Sequence, residues 1–260
     1  MNAPSAARVH STAIVEEGAR LGAGCIVHAY AHISRHCQLD EGVVVHPFAA
    51  IGGDPQDLSF DASTHSSVHV GARTVLREHV TINRATKAGG YTEIGADCFL
   101  MTGCHVAHDC KVGDRVVIAN AVLLAGHVQV GERAFLGGGT VIHQFSRIGE
   151  GAMIGGGARI SRDVPPFCLV TERNALVGLN VVGLRRRGIA RRAMTELKRV
   201  YRALDRPVGN LREIAASLLK DGAIDSPEAR QYVEFFLSGK RHCVRSRRAR
   251  SAEPETDHFD

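Results

Sequence analysis

The chain has 260 residues, 44% of them hydrophobic, but no Trp and only 5% aromatics, so its core must be assembled from Val, Ile, Leu, Ala and Gly. A net charge of +5 favours acidic partners in general and does not point to nucleic acid. No run approaches the ~18 apolar residues of a membrane helix, the opening MNAPSAARVH lacks a signal-peptide core, and seven cysteines without a CxxC pair argue against a disulfide framework or a zinc ribbon; a cytoplasmic protein without membrane insertion is expected.

Read in sixes from Val9, the chain places an aliphatic residue first in each hexad: Val9, Val15, Leu21, Val27, Ile33, Leu39, Val45 and Ile51. The frame restarts at Val70 and runs to Ile160, with Ala88 its one weak member. Fifth positions hold Ala, Cys, Thr, Ser, Pro or Val, and second positions are often Gly. A period of six fits neither an isolated helix nor a hairpin sheet. It fits a short strand and a tight turn repeated as the sides of a triangular coil, three hexads to a turn: the hexapeptide parallel β-helix. First positions point inward, and the small fifth positions fill the crowded interior beside the corner. Five cysteines (25, 37, 98, 104 and 110) sit at fifth positions and read as small apolar filler.

The frame lapses over 57–69 and 85–93, which are expected as loops that can wall a cleft. The coil is expected to fill 1–167 and to end at DVPPF, where proline interrupts pairing. A connection and α-helical domain follow over 168–239. Helical spacing runs through 189–204. Asn210 caps a second helix with Glu213 at N3, and Ser226 with Pro227 starts a third. The tail 240–260 is a basic block and then an acidic one, expected to be disordered.

Residues 18 apart stack on adjacent coils, about 4.8 Å from each other. His108 then lies under Gly126 and Gly126 under Gln144, while Asp109 lies under His127 and His143 shares a column with Ala107 and Ala125. With His105 one corner back, these residues form one polar patch. A neutral His beside an acid, below a glycine with a bare backbone N–H, is equipment for acyl transfer: the ring takes a proton from a hydroxyl, and the N–H holds an oxyanion. A second column, His10, His28 and His46, reads as solvated or subunit-facing stacking, since no carboxylate or cysteine is expected to join it. No metal ligand set and no cofactor is expected.

HVAHDC (105–110), LLAGHVQVG (123–131), VIHQF (141–145), DVPPF (163–167) and GLRRRG (183–188), with PQDL (55–58), resemble the acyl-[acyl-carrier-protein]–UDP-N-acetylglucosamine O-acyltransferases of lipid A biosynthesis. The resemblance spans about residues 9–238. It implies a left-handed parallel β-helix of hexapeptide repeats with a C-terminal α-helical domain, assembled as a homotrimer with sites between subunits. The implied reaction passes a 3-hydroxyacyl group from acyl carrier protein to the 3-hydroxyl of UDP-N-acetylglucosamine. His108 would be the base, Asp109 its support, and Gly126 N–H the oxyanion donor. His105, His127, His143 and Gln144 would line the sugar and acyl pocket, Gln56 and Asp57 would touch the sugar, and Asn180, Arg186 and Arg187 would hold the nucleotide. Gly156 would limit the acyl groove, and a glycine there implies room for a longer chain. The chain departs from the family at Ser59 and Phe60, where Lys and Tyr are usual, at Val182, usually acidic, at NRAT (83–86) in place of HRGT-like residues, and around 174–177, which is one residue short.

Other readings of the coil are a zinc γ-type carbonic anhydrase, whose ligand spacing differs from that of His105 and His108, and an N-acyltransferase, whose separate N-terminal domain has no counterpart before residue 9. Acetyl-CoA-dependent hexapeptide transferases, an enzyme for a 3-amino sugar nucleotide, and a non-catalytic trimeric scaffold complete the alternatives.

Overall fold

Strands of two to four residues alternate with tight turns from Arg8 onward and stack into three parallel sheets. The structure is a computed structural model and describes residues 6–205, 209–222, 224–239 and 241–246. Among the described residues, the first face begins with Arg8–Val9, Ile26–Val27 and Val44–Val45, the second with Ile14–Val15 and His32–Ile33, the third with Arg20–Leu21 and Cys37–Leu39.

The hexad grammar has a backbone cause. First positions from Val27 to Ile160 are buried, apart from Ala88, and close the interior with aliphatic side chains. The fourth residue of the hexad takes the left-handed conformation at nearly every corner, as at Tyr30, Phe48, Asp109, His127 and Phe145, whose φ values lie between 59° and 64°. That is the φ > 0 position of a type II turn. Second-position glycines allow adjacent coils to touch: a Cβ on Gly131 would stand 2.5 Å from the Glu150 backbone nitrogen. Val9 is 45% exposed, because the first coil has a neighbour on one side only.

Both lapses of the frame fall at the second corner, where the chain passes from the second face to the third. They occupy 54–66, between Ala50–Gly53 and Ser67–Val70, and 84–90, between Thr81–Asn83 and Tyr91–Ile94. Residues 67–69 and 91–93, expected in loops, are strand: Tyr91 pairs with Ser67 and Glu93 with His69. Ala88 is exposed within the second excursion and is no core residue.

The coil also outlasts DVPPF. Val164 bridges to Ile148, Phe167 takes φ 62°, and Cys168–Thr171 joins the first face beside Met153–Ile154. Pro165 and Pro166 therefore sit in a corner rather than a strand, with Pro166 just before the φ > 0 residue, where proline suits a type II turn. Ala175–Leu179 then pairs antiparallel with Cys168–Thr171.

Among the described residues four helices follow: α1 (Val181–Arg186), α2 (Arg191–Leu204), α3 (Leu211–Lys220) and α4 (Pro227–Phe235). The expected caps are present: the Asn210 side chain accepts from Arg212 N–H, and the Ser226 side chain accepts from Ala229 N–H. α1, expected as connection, is capped by Asn180, which accepts from Gly183 N–H at 2.9 Å. Arg147 ties the helices to the coil. It bonds Asp163 at 2.7 Å, Ser238 Oγ at 2.8 Å and the Phe235 carbonyl at 3.1 Å, with its guanidinium 4.1 Å from the Phe235 ring.

Disorder from 240 onward does not hold for 241–246. Asp163 N–H bonds the His242 carbonyl at 3.0 Å and Val244 N–H bonds the Asp163 carbonyl at 2.8 Å. Cys243 is buried, and Arg245–Ser246 pairs with Ala175–Leu179. Small apolar residues, Cys243 and Val244, anchor this basic stretch. Residues 247–260 lie outside the described residues, as does Lys240.

All seven cysteines are buried and free. Burial pushes the thiols of Cys37 and Cys98 up to about 11 and those of Cys104 and Cys110 up to about 12.

Leu124→Ala, at a fully buried first position, is expected to cost about 2–5 kcal/mol in urea unfolding. Gln129→Ala, exposed on the third face, is expected to stay within about 0.5 kcal/mol of the parent.

Candidate active site

The second corner is where the polar patch forms. His108 and Asp109 fill its two turn positions on one coil, Gly126 and His127 on the next, Gln144 and Phe145 on the one after. Backbone bonds set the register: His127 N–H to the His108 carbonyl at 3.0 Å, and Phe145 N–H to the Gly126 carbonyl at 3.1 Å.

His108 Nδ1 lies 2.8 Å from Asp109 Oδ2. Against an ionised carboxylate Nδ1 is the donor, which leaves Nε2 as the acceptor. A Cβ on Gly126 would stand 2.5 Å from His108 Cε1 and 2.7 Å from Nε2, so the ring keeps this place only while residue 126 has no side chain. Among the described residues no acceptor takes the Gly126 N–H, which leaves a donor free beside the ring.

Asp109 Oδ2 also accepts from Thr86, from the hydroxyl at 2.8 Å and the backbone N–H at 3.1 Å. Burial alone would raise this carboxyl; the bonds from His108 and Thr86 outweigh it and hold Asp109 below its ordinary value. His127 Nε2 lies 3.7 Å from the same oxygen, with its ring stacked on Phe145 at 4.6 Å and edge-on to His108 at 5.3 Å. His105 Nδ1 lies 2.7 Å from Thr81 Oγ1. Burial pushes both His105 and His127 below the usual imidazole value.

His108, Asp109 and His127 offer ligand atoms within 4.8 Å of one another, enough in number to hold a metal ion. In this structure Asp109 Oδ2 is instead taken by the Thr86 hydroxyl and backbone N–H and by His108.

The lower wall is the excursion 54–66, held by the buried guanidinium of Arg84. Arg84 bonds Asp54 Oδ1 at 2.8 Å, the Ala62 carbonyl at 3.0 Å and the Thr64 carbonyl, and lies 4.7 Å from the Phe60 ring. Asp57 lies close enough to feel the charge of His108. The Ser59 N–H (2.9 Å) and hydroxyl (2.8 Å) bond its carboxylate and hold it below the ordinary range. Both departures, Ser59 and Phe60, thus have structural work in this loop. Gln56 is exposed beside Asp57.

The upper wall receives Arg241 from the segment expected to be disordered. It donates to the Gln144 carbonyl at 3.0 Å and the Ser161 carbonyl at 3.2 Å, and lies 3.4 Å from His143 Nδ1. Thr81, Thr86, Arg84, Phe145 and Arg241 all escape a reading of the hexads. Their signal lies in contacts across coils, and only Arg84, a charge at the end of an apolar strand, is conspicuous in one dimension.

Other candidates are not brought to this corner by a single chain. Asn180 caps α1 and donates to the Gly151 carbonyl at 3.1 Å, at the third corner. Arg187 pairs with Glu150 and faces the Phe167 ring at 5.4 Å, and Arg186 is exposed on α1. Gly156 lies at the first corner, where a Cβ would meet the Gly138 carbonyl at 3.3 Å. In the other histidine column, His28 and His46 stack at 4.9 Å, but a carboxylate does join it: Glu78 lies 3.3 Å from His46 Nδ1.

Two family descriptions match the chain: "UDP N-acetylglucosamine O-acyltransferase; domain 2" over residues 163–244, and "bacterial transferase hexapeptide (six repeats)" over 91–126. The acyl-[acyl-carrier-protein]–UDP-N-acetylglucosamine O-acyltransferase of Thermodesulfovibrio yellowstonii is 46% identical over 197 residues, 75% of this chain and 76% of that one. The chain belongs to this O-acyltransferase family. Solved family structures agree. The UDP-N-acetylglucosamine acyltransferase of Campylobacter jejuni superposes with a TM-score of 0.81 at 36% identity, covering 92% of this chain and 100% of that one. The O-acyltransferase of Moraxella catarrhalis gives 0.81 at 30% identity, covering 92% and 98%. The coil is the left-handed parallel β-helix of these acyltransferases, with helices at its C-terminal end.

Gly126→Ala is expected to displace the His108 ring and lower turnover about 10²-fold, the cost of misplacing a reacting group by about an ångström, with the coil still folded by circular dichroism. Because folding depresses the affinity of His105 and His127 for protons, the unfolded chain binds more protons below its own value near 6.5. Stability from these two groups is therefore complete above that pH and falls as the pH drops through it. NMR titration should place both rings below 6.5.

Proposed function

We propose that the protein transfers a 3-hydroxyacyl group from acyl carrier protein to the 3-hydroxyl of UDP-N-acetylglucosamine, the first step of lipid A biosynthesis. The observation that carries this reading is the His108 ring held by Asp109 and lying where a side chain on Gly126 would be. His108 Nε2 removes the proton as the sugar oxygen attacks the thioester carbonyl. The Gly126 N–H takes the charge that builds on the carbonyl oxygen. As the C–S bond breaks, the imidazolium returns its proton to the departing thiolate, and the base is regenerated. Asp109 keeps the ring in one tautomer and stabilises its charged form.

His105, His127, His143 and Gln144 line the pocket around this point, with Gln56 and Asp57 on the sugar side. Asn180, Arg186 and Arg187 hold the nucleotide, with arginine suited to a diphosphate. Since these residues and Gly156 lie at other corners of the same chain, the complete site draws them from a neighbouring subunit. The outward side of the first face supports such an assembly. Ile26, Val44, Val75, Phe99, Val117, Phe135 and Met153 form an apolar stripe along it, of the kind that marks a protein interface. We read a homotrimer acting in the cytoplasm. Among the described residues no helix is long and apolar enough to cross a membrane.

The test is a mass-resolved acyl-transfer assay with UDP-N-acetylglucosamine, its 3-amino counterpart, and 3-hydroxyacyl carrier proteins of graded length. His108→Ala is expected to lose about 10²–10⁴-fold in turnover; full turnover would overturn the assignment. With Gly156 leaving the groove open, long chains should be accepted, and product confined to short chains would refute that. Transfer from the acidic carrier protein should slow as salt rises.

A further inference from the structure

The excursion 84–90 and the strand after it place two threonines on Asp109. Thr86 gives the carboxylate both its hydroxyl and its backbone N–H. Thr92, fully buried, accepts the Asp109 N–H on its hydroxyl oxygen at 2.8 Å. At φ 60° Asp109 takes the left-handed conformation common to the corners of the coil, which sets its backbone and leaves the orientation of its carboxylate to side-chain contacts. Its carboxylate also has a choice of partners, because His127 Nε2 lies 3.7 Å from the oxygen that serves His108 at 2.8 Å. Rotation about the carboxylate bond would hand that oxygen to the wrong ring.

We propose that Thr86 is a positioning residue of the acyl-transfer reaction: its two donors lock Asp109 Oδ2 onto His108 Nδ1, so that Nε2 stays the free acceptor beside Gly126. The assignment rests on the reading of His108 as the base. It also gives the second excursion a purpose beyond its contacts with the first, where Ser66 Oγ bonds the Ala85 carbonyl and Gly89 N–H bonds the His65 carbonyl at 2.8 Å. The groups facing this cluster are His105, His127 and Lys87, with Asp57 from the lower loop.

Thr86→Val removes the hydroxyl and keeps the shape. Loss of one charge-assisted hydrogen bond is expected to lower kcat/KM about tenfold, carried by kcat, with KM for UDP-N-acetylglucosamine within about twofold. Thr86→Ser, which restores the hydroxyl, should recover most of the loss. In an Asp109→Asn background Thr86→Val should change kcat/KM by less than about twofold, since a residue acting through Asp109 has nothing left to position. Melting temperatures are measured alongside. Thr86→Val with parental kcat/KM overturns the inference, as does a loss of equal size in the Asp109→Asn background. If His108→Ala keeps turnover, the base reading falls and this inference with it; if His108→Ala is inactive and Thr86→Val is silent, only the inference falls.

Discussion

Everything in this molecule follows from turning a corner in two residues. A three-sided coil with six residues per side has no room for a looser bend, so the fourth residue of nearly every hexad adopts the left-handed conformation and the third points outward. Stacking the corners at strand spacing aligns their side chains in columns, and the interior aliphatics hold those columns fixed. A ring at position 108 can then rest where a side chain at 126 would stand, because the backbone of each coil is set by the one below. The precision of the candidate site is borrowed from the core.

The same rule explains where the frame can lapse. An excursion that leaves from a corner and rejoins the next face in register does not disturb the coils above it. Both excursions depart from the second corner, and Arg84, buried at the foot of the first, makes that loop part of the wall. The side that bears the most irregular backbone is the side that bears the candidate site, as expected where rigid scaffolds support functional loops.

The one-dimensional pattern conveyed much of this. Val, Ile and Leu at every sixth residue announce the coil, and the 18-residue stacking puts His108 beneath Gly126 before any coordinates are known. It failed where contacts join residues with no fixed spacing. DVPPF looked like a terminus because proline disrupts strands, yet at a type II corner proline is welcome. The stretch 241–246 looked disordered because it is basic, yet Cys243 and Val244 hold it on the coil and deliver Arg241 to Gln144. Asn180 and Arg187 were readable as residue types, but their position at another corner, bound to Gly151 and Glu150, was not.

The sulfur atoms packed inside the spiral have a practical side. Burial pushes every one of these thiols upward and so disfavours the thiolate that an oxidant or alkylating agent would attack. Six run along the coil from Cys25 to Cys168, and Cys243 lies in the later segment that pairs with Asp163, so each is a silent marker for its own stretch of the chain. Timed labelling with a membrane-impermeant maleimide would report which rungs part first as the protein opens, using only the atoms that nature put there.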